Sequence, residues 1–277
     1  MTIFDTKRPD RTGPTRSFVE TASGTIHIAT AGDGFPVLLL HQTPRSWDEF
    51  RDVIPLLAKN FKVIAMDTIG FGDSCRLPVE EHSIERWASA SFDLLDTLGI
   101  SKAAIVGHHT GAVTALEMAA SHPERVMALV LSSCPFNDAT RRASHADRRT
   151  IDEVERSTEG LHLTELWSRR QPYYPVGNID LMERYIVDAI KAGDMASYGH
   201  GVVSRYIMED RISLLSSPTL LIDACDDPHA SPYAAKLATL IAGSKLASIK
   251  GGMVPLPDQL PREFSAVVSD FLLAQQL

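Results

Sequence analysis

The chain has 277 residues, 44% of them apolar and 22% charged, which is ample for a full core and ordinary for a soluble globular protein. A formal net charge of -8 argues against nucleic acid or an anionic membrane as a partner. The three cysteines, Cys75, Cys134 and Cys225, are widely spaced and form no C-x-x-C, which argues against a disulfide framework and fits a reducing compartment.

Residues 1–16 read as a loose arm rich in charge, Pro and Gly. The arm lacks the apolar stretch of a secretory signal, so a cytoplasmic location is expected. No run approaches the roughly 18 apolar residues of a membrane span. "SFVETASGTIHIATAG" reads as a hairpin turning near Ser23-Gly24. Short apolar runs then alternate with helical patterns. The runs are "FPVLLLH", "FKVIAMD", "AAIVGH", "VMALVLSS", "PTLLIDA" and "SKLASIKG", the near-continuous kind that suits parallel strands buried on both faces. Helices are expected over "SWDEFRDVIPLLAKN", "SIERWASASFDLLDTLGI", "TGAVTALEMAASHPERV", "SPYAAKLATLIAGS" and "LPREFSAVVSDFLLAQ". Strand, helix, strand repeated is the α/β pattern. Residues 137–215 break the rhythm. They are rich in Arg, Asp and Glu and hold helical stretches such as "RRTIDEVERS" and "IDLMERYIVDAIKAG". They read as a helical cap, placed over the sheet edge where open α/β sheets bind ligands.

In the middle of the chain stands "VGHHTG", from Val106 to Gly111. A Gly-x-nucleophile-x-Gly turn between strand and helix usually carries Ser, Asp or Cys at its centre; here the centre is His109. Together with "LLLHQTP", "AMDTIGFGDS", "LIDACDDP" and "IKGGMVPLPDQLPREF", in that order, the turn resembles the α/β-hydrolase superfamily. The resemblance runs over nearly the whole chain from about Ser17. The similar branch holds haloalkane dehalogenases, epoxide hydrolases and carbon–carbon bond hydrolases. It implies a mostly parallel eight-stranded sheet flanked by helices, with a core of residues 17–136 and 216–277 and a cap of residues 137–215.

The resemblance also marks two departures. The nucleophile position holds His109, and the position of the base, after Gly252, holds Met253. Methionine is no useful proton acceptor, so a Ser-His-Asp triad cannot operate. The acid position is retained as Asp227, with Asp226 as the alternative, and His229 lies close by. His109 sits at a helix N-terminus, whose positive end disfavours an imidazolium. A neutral imidazole can act as base or nucleophile. The oxyanion hole implied by the resemblance combines the Thr110 N–H with that of Gln42 or Thr43. His41, Arg45, His108 and Met253 are expected around the substrate pocket, although a His at the place of His41 is in this family usually a buried structural residue. Trp47, Tyr173, Tyr174, Tyr185, Tyr198 and Tyr206 are further pocket or core candidates. The i, i+4 His pairs and Cys/His spacings of a metal site are absent, and neither metal nor cofactor is expected.

The resulting expectation is a cofactor-independent enzyme for a small organic carbonyl, ester or lactone, hydrolase-like, with His109 as base or nucleophile. A lyase using His109 as base, or a non-catalytic ligand-binding protein on the same scaffold, are the alternatives. The sequence does not set the oligomeric state.

Overall fold

The computed structural model describes residues 13–145 and 149–277. Most of the arm expected over residues 1–16 lies outside the described residues. Its last part is already strand, because β1 begins at Thr15 rather than Ser17. The strands are β1 (Thr15–Thr21), β2 (Gly24–Ala31), β3 (Phe35–Leu40), β4 (Phe61–Met66), β5 (Ala103–His108), β6 (Val126–Ser132), β7 (Thr219–Ala224) and β8 (Lys245–Ile249). They form one sheet in the order β1-β2-β4-β3-β5-β6-β7-β8. β1 and β2 form the expected hairpin, and β2 joins β4 antiparallel; every later pairing is parallel.

Period-two alternation divides the strand residues between two cores. Leu38, Leu40, Ile64, Met66 and Ile105 face one side, and Val37, Leu39, Val63, Ala65 and Val106 face the other. Both faces are covered, which is why these strands read as continuous apolar runs. The covering helices are α1 (Ile54–Leu57), α2 (Ile84–Thr97) and α3 (Thr110–Ser121), then, after β7, α9 (Ser231–Leu240), α10 (Leu256–Gln259) and α11 (Pro261–Ala274). Between β6 and β7 lie α4 (Ala139–His145), α5 (Leu161–Arg170), α6 (Ile179–Ala192), α7 (Met195–Arg205) and α8 (Glu209–Ile212). Residues from α5 and α6 build a small core of their own around Tyr174 and Tyr185, whereas Met195, Ala196 and Val202 of α7 join a core of the main sheet.

Two expected helices are not formed as written. "SWDEFRDVIPLLAKN" is split into a 3-10 turn, Trp47–Phe50, and the short α1. Ser46 caps the first piece by accepting from the Asp48 N–H. Pro55 in the first turn of α1 lacks the N–H that one continuous helix requires. In "RRTIDEVERS" the residues from Arg149 to Ser157 are irregular. Asp152 in this stretch is buried and receives Arg170 Nε at 2.7 Å and the Tyr185 hydroxyl at 2.5 Å. Tertiary anchoring of one carboxylate overrides the helical propensity of the segment around it.

Candidate active site

β5 ends at His108 and α3 starts at Thr110, so the chain reverses on His109 alone. That residue has φ 49° and ψ -113°, a left-handed conformation that costs a non-glycine residue on the order of 1–3 kcal/mol. The flanking glycines make the turn possible. A Cβ on Gly111 would stand 2.0 Å from the Leu40 carbonyl oxygen, and one on Gly107 would stand 2.1 Å from that of Gly111. Both obstacles are backbone, one at the end of β3 and one in the first turn of α3. Gly111→Ala is therefore expected to lower stability by about 3 kcal/mol or more, read as a drop in the urea unfolding midpoint. A loss below 1 kcal/mol would show that α3 can withdraw from β3.

The strained turn carries the His109 ring to Asp227, which follows β7. His109 Nε2 lies 2.7 Å from Asp227 Oδ2. The other carboxylate oxygen of Asp227 accepts the His229 N–H at 2.8 Å. Asp227 is buried while Asp226 is exposed, which decides between the two acids. Burial alone would push the Asp227 carboxyl up; the facing His109 imidazole outweighs it and holds the acid well below the usual carboxylate range. An ionised carboxylate only accepts, so His109 Nε2 carries a proton and donates it. In the neutral ring the lone pair is then on Nδ1, which has no protein partner among the described residues.

His109 borders a cavity of about 360 Å³, within the range of small-molecule sites. From the sheet side it is closed by Gln42, Thr43, Thr110, Pro135 and Val254. The Thr110 N–H makes no hydrogen bond within the protein among the described residues, and the Thr43 N–H reaches only Thr110 Oγ1, at 3.3 Å. Both donors can serve a developing oxyanion. Gln42 cannot serve through its backbone. Its N–H donates to Glu49 Oε2 at 2.9 Å and its side-chain amide to Glu49 Oε1 at 2.5 Å, so Glu49, seven residues on, has taken both. Burial raises the Glu49 carboxyl to about 8 against the opposing pull of Arg45.

The structure moves four expected pocket residues out of the cavity wall. His41 is buried; its Nδ1 donates to the Gln42 carbonyl at 2.8 Å and its Nε2 accepts the Thr68 N–H at 2.9 Å. Arg45 is enclosed by carboxylates away from the cavity. Met253 gives way to its neighbour Val254, and its own N–H donates to Gln259 Oε1 at 2.7 Å. His108 is the fourth: its Nε2 donates to the Val254 carbonyl at 2.8 Å and its Nδ1 meets Ser132 Oγ at 3.0 Å.

Burial lowers His108 to about 3, far below the roughly 6.5 of an exposed imidazole. The unfolded chain thus takes a proton that the folded one refuses. The stability contribution is whole above pH 6.5 and is lost as pH falls from there toward 3. Between pH 7 and 5 the loss from this residue should be on the order of 2 kcal/mol. His108→Gln, which keeps a donor for the Val254 carbonyl, should flatten that part of a urea-midpoint profile. An unchanged slope would mean that His108 does not titrate between the two states.

From the side of residues 137–215 the cavity is bordered by Arg141, Arg149, Thr150, Arg170, Tyr173 and His200. Sequence reading singled out only Tyr173 among these. Charged residues in an exposed-looking helical stretch carry no local signal of a wall, since it is the tertiary fold that turns them inward. His229 also borders the cavity. Its ring centroid lies 4.7 Å from that of Tyr173, and burial lowers it to about 4. Among the described residues, one group has metal-ligand spacing, His27, Asp67 and Asp73. Its members are already engaged: His27 Nδ1 lies 2.8 Å from Asp67, and Asp73 pairs with Arg16 and Lys191.

A sequence profile of the alpha/beta hydrolase fold family matches residues 36–245. The chain belongs to this family. Similar proteins include a bifunctional epoxide hydrolase 2 of Sus scrofa, 39% identical over 113 residues, which are 40% of this chain and 20% of that protein. A 2-hydroxymuconate semialdehyde hydrolase of Pseudomonas sp. (strain CF600) is 39% identical over 108 residues, 38% of each chain. The chain thus spans well under half the length of these curated relatives. In structure, a hydrolase from Pseudomonas aeruginosa PA01 superposes with a TM-score of 0.78 at 20% identity, covering 93% of this chain and 98% of that one. The chain has the family's sheet, and its turn from β5 into α3 carries an imidazole, that of His109. No helix among the described residues is long and apolar enough to cross a membrane.

Proposed function

We propose that the protein is a cofactor-independent hydrolase for a small carbonyl compound, in which His109 acts as general base rather than as a stand-in for a serine. The observation that carries this is the 2.7 Å contact between Nε2 of His109, which borders the cavity, and Asp227 buried behind it. That contact is the acid–imidazole half of a triad, with the imidazole supplied from the opposite side. The missing base at Met253 is thereby replaced, and what is lacking is a hydroxyl nucleophile at the centre of the turn.

Water fills that role in the proposed reaction. His109 Nδ1 takes a proton from water as the oxygen attacks the carbonyl carbon. The negative oxygen that forms is met by the Thr110 and Thr43 N–H groups. As the intermediate collapses, Nδ1–H returns its proton to the leaving group. Asp227 stays ionised throughout and stabilises the imidazolium between the two steps. Residues 137–215 act as the cap that limits access to the cavity. The hydrolase names of the relatives support hydrolysis over elimination.

The test is a panel of small esters, lactones and diketones turned over in H2-18O. Direct attack by water places the label in the acid product, and quenched protein shows no added mass. A mass adduct on His109 would replace the base with a nucleophile, and turnover that survives His109→Ala would remove the reading altogether. Met253→His alone should add no turnover of activated esters, because the turn after β5 would still present the His109 imidazole and not a hydroxyl. Strong esterase activity in that variant would mean that another side chain is the nucleophile.

A further inference from the structure

The chain carries a net charge of -8, yet the cavity wall has the opposite character. Three guanidinium side chains, Arg141, Arg149 and Arg170, border it together with three imidazoles, and among the described residues no Asp or Glu does. Two carboxylates that pair with wall residues are set behind it. Asp227 and Asp152 are buried, each covered by the basic group it orients.

Three of the wall residues have donor capacity left over. Arg170 is buried, and Asp152 takes its Nε and Nη2; Nη1 has no partner among the described residues. A cavity-wall guanidinium locked through one edge, with a nitrogen left over, is oriented before any ligand arrives. Thr150 borders the same cavity, and among the described residues its buried hydroxyl oxygen has no hydrogen-bond partner, a state that a ligand acceptor would relieve. Arg149 meets Glu153 and Glu165 only at 3.9 and 3.8 Å, beyond hydrogen-bond reach, so its donors are also uncommitted. Ile151 and Val203 leave apolar wall for a carbon skeleton.

We infer that the cavity takes a substrate bearing an oxyanion group, a carboxylate or a phosphate, held by Arg149, Thr150 and Arg170 while its carbonyl faces His109. The placement of the carbonyl rests on the function proposed above; the recognition of the anion does not. Arg170 is the fixed donor, because Asp152 sets its plane. Thr150 adds a short-range neutral donor, and Arg149, half exposed, adds charge at the cavity margin.

The experiment is calorimetric titration with succinate, inorganic phosphate and dimethyl succinate, on the wild type and on Arg149→Ala, Thr150→Val and His109→Ala. Succinate or phosphate should bind and the uncharged ester should not. The tighter of the two anions identifies the carboxylate or the phosphate as the natural group. Thr150→Val, which keeps the shape of the side chain, should weaken the anion about fivefold, and Arg149→Ala about tenfold. His109→Ala should leave binding within twofold, so a failure of the proton-transfer reading leaves these titrations standing. Equal binding of the ester and the anions, or unchanged affinity in both Thr150→Val and Arg149→Ala, would overturn the inference.

Discussion

His109→Ala should lower kcat by about 10²- to 10⁴-fold, the range for loss of a positioned general base, with KM changed little. Asp227→Asn is expected to match it closely, and the reason is the tautomer. The Asp227 carboxylate accepts, so His109 Nε2 must donate across the 2.7 Å contact. An Asn amide can donate instead, which lets the ring put its proton on Nδ1. Nδ1 would then have no lone pair, and the base would be present but unable to accept. In the Ser-His-Asp triad the corresponding change costs about 10⁴ in kcat for this reason. Asp227→Glu gives the contrasting control. It keeps an acceptor on a longer arm, so it should retain more activity than the isosteric Asn. If Asn were the milder change, Asp227 would be acting through its negative charge or as a spacer rather than by setting the tautomer.

His109 could be recognised from sequence because its neighbours, not the residue itself, announce the position. Gly107 and Gly111 are required wherever a strand turns into a helix packed against β3, and the distances of 2.1 and 2.0 Å show the reason. The strands were legible for a similar cause, since burial on both faces leaves long apolar runs. Asp227 was legible as a position, but its advantage over Asp226 comes from burial, which adjacent acids do not declare. The cavity wall was the least legible part. Arg149, Thr150 and Arg170 are brought together by Asp152, whose pairing with Arg170 spans 18 residues of chain. The same long-range capture unwound the helix expected there. Gln42 shows the limit at short range: a glutamate seven residues later intercepts the N–H that the motif would have offered to substrate. His41, His108 and Arg45 share another cause. Polar residues at the ends of buried strands and in the following loop can point into the protein as well as into a pocket, and the partners that settle the matter lie far away in sequence.

Arg45 is where such a partner set should have its largest effect on stability. Its side chain is fully buried, with Nε 2.8 Å from Asp188 on α6, Nη1 paired with Asp258 on α10 and Nη2 3.7 Å from Asp48. One guanidinium thus joins the loop after β3, the segment between β6 and β7, and the C-terminal helices. Burial acts against its charge, but Asp258 and Asp188 more than compensate and hold it protonated. The Asp258 carboxyl is in turn raised to about 6, because burial outweighs the attraction of Arg45 and Arg184. Arg45→Met fills most of the volume but leaves Asp188 and Asp258 buried without their shared cation. The expected loss is about 3–5 kcal/mol, a large fraction of the 5–15 kcal/mol typical of a folded domain. Without the cation, Asp258 should take up a proton more readily, so the variant should lose less stability at pH 5 than at pH 8. Adding Asp258→Asn to Arg45→Met should recover part of the loss at pH 8, because it removes one of the abandoned charges. Urea unfolding of the single and double variants at both pH values reads all of this. A single variant within 1 kcal/mol of wild type would mean that water or Arg184, which already reaches Asp258 at 2.8 Å, replaces the missing guanidinium.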